Sequence, residues 1–297
     1  MGIGAWSWGD RFYWNYGRDY DRNDIRSAIE TSLSAGINFF DTAESYGGGE
    51  SERIIGEYLV EKNQPVVIAT KFFPYPWRIR QESLINALRK SLERLKLNMV
   101  DLYQVHWPFP PRSIETWASA LADAVEMKLT RAVGVSNYNL NQLRRAHAVL
   151  AKRNILLASN QVEYHLLNRK IEENGLLDAC REMGISLIAY SPLGQGLLTG
   201  KYTPDKPLKG VRGRRYNSAF IARIQPLIRL MTDIGREHGS KTPAQVALNW
   251  VIQKGAIPIP GAKNSRQAEE NAGALGWALN DEEILRLDHA SDQVIKG

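Results

Sequence analysis

The chain has 297 residues, 43% hydrophobic, 24% charged and 9% aromatic, which excludes a disordered or collagen-like chain, and its one cysteine, Cys180, excludes a disulfide framework or thiolate zinc cluster. The formal charge of +6 raises nucleic acid as a partner, but the basic residues are scattered and the densest stretch, KGVRGRR at 209–215, is short and has no interleaved aromatics, so none is expected. No apolar run is long enough for a membrane span and the opening MGIGAWSWGD has neither a basic n-region nor an apolar h-region, so no membrane partner is expected and the cytoplasm is the expected compartment.

Length alone admits two domains or one α/β barrel. Apolar runs that predict strands occupy 2–6, 37–40, 65–70, 99–105, 131–135, 156–160, 185–190 and 256–259. Their continuous apolarity suits strands of a parallel sheet covered on both faces. After the first run, Ile25, Ala28, Ile29 and Leu33 share one helix face, and Gly36 stands where a left-handed cap would end it. Leu84, Leu88, Leu92 and Leu95 predict a helix after the third run, and Ser113 an N-cap after the fourth. Further helices are predicted at 140–152, 171–183 and 219–238, and Thr242-Pro243 opens another with a cap and an N1 proline. Strictly alternating strands and helices without a linker predict a single-domain α/β (β/α)8 TIM barrel over 1–297, with a doubly wound sheet as the competing arrangement.

In a barrel, catalytic groups belong where strands end. The second run leads into FFDTAESYGGG, the third into ATK and the fourth into LYQVHWP, so Asp41, Tyr46, Lys71 and His106 gather on three adjacent strand ends. A lysine directly after an apolar strand needs a partner, and Asp41 is the obvious one. A phenol is a poor acid at neutral pH, but a nearby ammonium stabilises the phenolate and brings its pKa toward neutrality. Tyr46 then acts as general acid, Lys71 perturbs it, Asp41 keeps Lys71 charged, and His106 hydrogen-bonds the substrate oxygen. Taken singly, each is a core aromatic, a helix cap or a satisfied polar group; together on neighbouring strand ends they predict protonation of an oxygen as hydride arrives at its carbon.

The stretches GINFFDTAESYGGGESERIIGEYL, VVIATKF, VDLYQVHWP, AVGVSNY, NQVEYHLL, AYSPLGQGLLTGKY and IPIPGAKNSRQAEEN occur in this order along nearly the whole chain. Together they resemble the aldo-keto reductase superfamily. The resemblance implies a (β/α)8 barrel, NADP(H) as cofactor, a carbonyl substrate reduced to an alcohol, and Asp41, Tyr46, Lys71 and His106 as its tetrad.

Two glycine-rich stretches, beginning at Gly2 and Gly194, lack the third glycine of a Rossmann fingerprint, and the stretch ending Gly200-Lys201-Tyr202 lacks the first Gly and the Ser/Thr of a P-loop. Ser136, Asn137 and Gln161 instead offer donors and acceptors for a carboxamide, and Tyr190 a flat face for a nicotinamide ring. Without the resemblance, Asn137 reads equally as a turn residue and Tyr190 as a core aromatic. The loop with Ser191, Leu193, Gly196 and Lys201 resembles the family's pyrophosphate site. The segment with Gly261, Lys263, Gln267, Glu270 and Asn271 resembles its adenosine site, with Lys263 and Arg266 near a 2′-phosphate. Trp6 joins this expected cofactor set. Many members carry basic residues where Gly261 and Gln267 stand, so the preference for NADPH rests on Lys263. The chain also opens on its first strand without the hairpin that often precedes it, so an earlier segment is expected to be missing.

The aromatics Trp6, Trp8, Phe12, Tyr13, Trp14, Tyr16, Trp77, Trp107 and Phe109 are candidates for the walls of a pocket for a flat or apolar carbonyl compound, or for packing between loops. WSWGDRFYWNYG and PGAKNSRQAEENAGALGW resemble members from cyanobacteria and plant plastids, a group similar to plant pyridoxal reductase, which makes pyridoxal a candidate substrate. Channel β subunits of the same superfamily are a non-enzymatic alternative. They carry Asn where this chain has His106, so the complete tetrad favours an enzyme. A metal-dependent hydrolase finds too few strand-end histidines here.

Overall fold

Each apolar run becomes a strand, and the strands form one parallel sheet in chain order: β1 (Ile3–Gly4), β2 (Phe39–Asp41), β3 (Val67–Phe72), β4 (Val100–Val105), β5 (Thr130–Ser136), β6 (Leu157–Glu163), β7 (Ser186–Tyr190) and β8 (Ile257–Ile259). This computed structural model describes residues 1–62, 64–208, 213 and 216–296. The basic stretch at 209–215 lies, apart from Gly213, outside the described residues. The sheet closes on itself, since Gly2 N donates to Pro258 O and Gly4 N to Pro260 O, both at 3.0 Å. Gly4 permits this approach: a Cβ there would stand 2.8 Å from Ile259 O. A closed ring in sequential order is a TIM barrel, and the doubly wound alternative is excluded.

Helices cover the outside: α1 (Arg22–Ser34), α2 (Glu50–Lys62), α3 (Glu82–Leu95), α4 (Ile114–Glu126), α5 (Leu140–Ala151), α6 (Lys170–Glu173), α7 (Leu176–Glu182), α8 (Ser218–Glu237), α9 (Pro243–Gln253), α10 (Ser265–Ala272) and α11 (Asp281–Lys296). Gly36 adopts φ 78° just past α1, Ser113 caps α4 by accepting from Thr116 N, and Thr242 caps α9 in a capping box with Gln245. The single helix expected at 171–183 is instead α6 and α7. Gly175, at φ 73°, breaks it, and Asn174 Oδ1 accepts from Leu176 N to start the second piece. Between sheet and helices lies the main core, where Phe72 meets Trp117 at 4.8 Å and Tyr164 meets Trp250 at 5.2 Å between ring centroids. Among the described residues no helix is long and apolar enough to cross a membrane.

Strand residues two apart share a face, so the barrel interior can be read in layers. Ala69, Leu102, Ile188 and Ile259 form a small apolar layer. Two positions further along β3 and β4 stand Lys71 and Gln104, which are in register with each other, and Gln104 is in register with Gly134, which pairs with Ser159. The interior thus turns from apolar to polar at the C-terminal ends of the strands, where the site lies.

Candidate active site

Asp41 is the last residue of β2, and the chain turns at once into a single 3-10 turn, Tyr46–Gly49. Gly47 and Gly48 have φ of 56° and 64°, and a Cβ on Gly47 would stand 2.7 Å from Gly9 O, so glycine there lets the turn press against the loop after β1. Thr42 Oγ1 and Ser51 Oγ share a hydrogen bond of 2.8 Å, and Ser51 donates to Ala5 O at 3.0 Å. Glu44 accepts from Phe73 N at 2.7 Å and pairs with Arg78. These contacts tie the Tyr46 turn to β1, α2 and the loop after β3.

Lys71, expected just after its strand, lies inside β3 and is fully buried. Its Nζ donates to Asp41 Oδ1, to Thr42 O at 2.9 Å and to Tyr46 Oη at 3.4 Å, so the three ammonium donors meet three acceptors. Asp41 Oδ2 accepts from Gln161 Nε2 at 2.8 Å and from Gln104 Nε2 at 3.2 Å. His106 follows β4, its ring edge-on to Tyr46 at 5.7 Å and to Phe73 at 5.5 Å. The four residues expected to form a tetrad are therefore brought together.

The electrostatics differ from the sequence expectation in one respect. Burial raises the Tyr46 pKa; the Lys71 ammonium opposes this, but with Asp41 also raising it the phenol stays above its ordinary value of 10.0. Tyr46 is thus a phenol that keeps its proton at neutral pH rather than one tuned toward neutrality. Burial lowers the Lys71 pKa, but Asp41 and Tyr46 outweigh it and the ammonium is held above 10.5. Burial, with Lys71 nearby, drives the His106 pKa well below 6.5. A base with a depressed folded pKa contributes stability above its unfolded value that is lost as pH falls through the folded one. The His106 imidazole is thus expected to be neutral at pH 7 and to take up its proton only well below the ordinary histidine value of 6.5. Histidine side-chain NMR checks this, and a His106 midpoint at or above 6.5 contradicts it.

A cavity of about 860 Å³ opens over this cluster and is lined by Asp41, Tyr46 and His106, while Lys71 lies beneath its floor. All the expected cofactor positions line it as well: Trp6 after β1; Ser136, Asn137 and Gln161 at β5 and β6; Tyr190, Ser191, Leu193, Gly196 and Lys201 from β7 onward; and Gly261, Lys263, Gln267, Glu270 and Asn271 after β8. The backbone after β7 is left-handed at Ser191, Gly194, Gln195 and Gly196, a tight turn in which Gly194 N donates to Ser191 O and Gly196 N to Leu193 O, and Lys201, Lys263 and Arg266 add positive charge to the cavity wall. The donor set fits an elongated, phosphorylated dinucleotide.

Several side chains are already engaged within the protein. Asn137 Nδ2 donates to His106 O and Ser136 Oγ, both at 3.1 Å, and Asn137 Oδ1 accepts from Tyr190 Oη at 3.0 Å. Asn271 Nδ2 donates to Gly261 O at 3.2 Å, and Glu270 Oε1 accepts from Thr242 Oγ1 at 2.5 Å. Lys263 Nζ donates to Trp14 O at 2.9 Å and lies over the Trp14 and Tyr20 rings. Of the candidate aromatics, Trp6, Trp14 and Trp107 line the cavity; Trp8 is core, donating to Ala262 O, and Phe12 is exposed. Gln104, Ser159 and the Glu44–Arg78 pair escaped the sequence reading. The signal for Gln104 was present: in VDLYQV it shares the inward face with Leu102.

Fold and site together define the class, a TIM-barrel enzyme whose strand ends carry a buried Asp–Lys pair with Tyr46 against it, at the floor of a cleft that also holds Lys201, Lys263 and Arg266. The aldo/keto reductase family model matches residues 1–292. The chain is 41% identical, over 99% of its length and 83% of the relative's, to a chloroplastic pyridoxal reductase of Arabidopsis thaliana. It is 31% identical, over 95% of its length and 87% of the relative's, to an aldo-keto reductase of Bacillus subtilis. An aldo/keto reductase from Klebsiella pneumoniae, solved with NADP and acetate, matches with a TM-score of 0.76 at 27% identity, covering 97% of this chain and 89% of that one. A glycerol dehydrogenase from Gluconobacter oxydans matches with a TM-score of 0.83 at 26% identity, covering 100% and 92%. The chain belongs to the aldo/keto reductase family and is an oxidoreductase acting on carbonyl groups.

Proposed function

We propose that this protein reduces an aldehyde or ketone to the alcohol with NADPH, and that Tyr46 delivers the proton. The observation that carries the reading is the Tyr46 hydroxyl, 3.4 Å from a fully buried ammonium, on the wall of the cavity beside His106. When bound, NADPH supplies the hydride to the carbonyl carbon. Tyr46 Oη gives its proton to the carbonyl oxygen as charge develops there, and the nearby Lys71 ammonium stabilises the phenolate left behind. Solvent then returns the proton to Tyr46. Neutral His106 donates a hydrogen bond that orients the carbonyl. Asp41 keeps Lys71 charged and fixed.

For the cofactor, Tyr190 offers the face for nicotinamide, and Ser136, Asn137 and Gln161 the amide-binding edge. Ser191, Leu193, Gly196 and Lys201 would hold the pyrophosphate; Gly261, Gln267, Glu270 and Asn271 the adenosine; Trp6 would cover it. Lys263, with Arg266, would meet the 2′-phosphate, for which Lys263 must turn from Trp14 O. The NADP named for the Klebsiella enzyme supports this choice. The free, buried Cys180 thiol suits a reducing compartment, so the cytoplasm stays the proposed location.

The test is NADPH oxidation by the purified protein against a panel of aldehydes and ketones. Turnover of at least one compound is expected, and none with any would overturn the reading. Pyridoxal belongs in the panel because of the relative at 41% identity. Fluorescence titration should show tighter binding of NADPH than NADH, a gap that Lys263→Ala narrows; equal wild-type affinities would remove the 2′-phosphate assignment.

A further inference from the structure

Gln104 on β4 is fully buried in the polar layer of the barrel. Its Nε2 donates to Asp41 Oδ2 at 3.2 Å, and its Oε1 accepts from Ser159 Oγ on β6 at 3.4 Å. Room for this crossing comes from β5: a Cβ on Gly134 would stand 2.2 Å from Ser159 Oγ and 3.1 Å from Gln104 Cγ. A buried amide is costly unless both ends are paired. Here both are, and one end is the carboxylate that grips Lys71. A chain of hydrogen bonds thus runs from Ser159 through Gln104, Asp41 and Lys71 to Tyr46.

We propose that Gln104 is a positioning residue of the reaction: by engaging Asp41 Oδ2 it keeps Oδ1 on Lys71 and so sets how readily Tyr46 releases its proton. This rests on the reading of Tyr46 as proton donor. The titratable groups nearest the Asp41–Lys71 pair are Tyr46 after β2 and His106 after β4; β5 and β6 present Gly134, Ser136, Ser159 and Gln161, which do not titrate, and β6 ends in Glu163, a carboxylate on the wall of the same cavity. Without the Gln104 donor, less of the negative charge on Asp41 is neutralised. That charge already raises the proton affinity of Tyr46, so the phenol holds its proton more strongly and becomes a weaker acid.

Gln104→Met keeps the length of the side chain and removes both polar atoms. The expected result is a kcat about tenfold lower at pH 7, with the alkaline limb of the kcat profile about one pH unit higher and KM for the aldehyde within about twofold. NMR of Cζ-labelled tyrosine, with Tyr46→Phe identifying the signal, should show the same upward shift without cofactor or substrate. Ser159→Ala, which frees the far end of the amide, should shift both readouts in the same direction by less, and it decides the matter if Gln104→Met does not fold. A wild-type kcat and unshifted limb in folded Gln104→Met, or failing that in Ser159→Ala, with Tyr46→Phe inactive, overturns the positioning role alone. Undiminished turnover in Tyr46→Phe overturns the proton-donor reading and this inference with it.

Discussion

Tyr46→Phe is expected to lower kcat for carbonyl reduction by about 10²- to 10⁴-fold, the contribution typical of a general acid. The substitution keeps the ring, which lies 5.0 Å from Lys71 Nζ and edge-on to His106, and removes only the hydroxyl. Binding of NADPH should therefore stay within about twofold, and the loss should fall on kcat rather than on KM. Because burial raises the phenol above 10.0, wild-type reduction should be insensitive to Tyr46 ionisation through neutral pH and fall only above that value. Steady-state kinetics with the best panel aldehyde, with cofactor titration in parallel, measures all of this; a variant within tenfold of wild type would remove Tyr46 from the chemistry.

Lys71→Met should cost about 3–5 kcal/mol in unfolding free energy and abolish turnover, because it leaves the buried Asp41 carboxylate without its counter-ion. Gln104 and Gln161 still donate to Asp41, but neither supplies charge. The raised Lys71 pKa means that its contribution is fully present below 10.5 and is lost as pH rises through the higher folded value, so the destabilisation should be the same at pH 7 and pH 9. Asp41→Asn combined with Lys71→Met removes both charges and should recover much of the stability but none of the activity. Urea unfolding of the two single variants and the double variant makes the comparison. A Lys71→Met protein as stable as wild type would show that the pair is not held as the structure has it.

The barrel was legible because its signals are local. Each strand grows from a short, largely apolar run, and the caps at Ser113 and Thr242 are set by residues within one turn. The clustering of the four candidates was legible for a related reason: a barrel places strand ends together, so Asp41, Lys71 and His106 share a rim even though their separations in sequence are large. The break at Gly175 was missed, although Asn174-Gly175 is a turn dipeptide; the apolar residues on either side read as one helix, and the left-handed φ of Gly175 separates them.

By itself, then, the order of apolar runs and polar strand ends determined a barrel, its active rim and the candidates Asp41, Tyr46, Lys71 and His106. Tertiary structure decided what those groups do to one another. Gln161 reaches Asp41 across 120 positions of sequence, and Lys263 reaches the Trp14 carbonyl across 249. The Tyr46 pKa rises because burial, together with Asp41, outweighs Lys71. Periodicity says which face a side chain takes, but desolvation and hydrogen-bond partners depend on what stands opposite, and in a closed barrel that comes from distant strands.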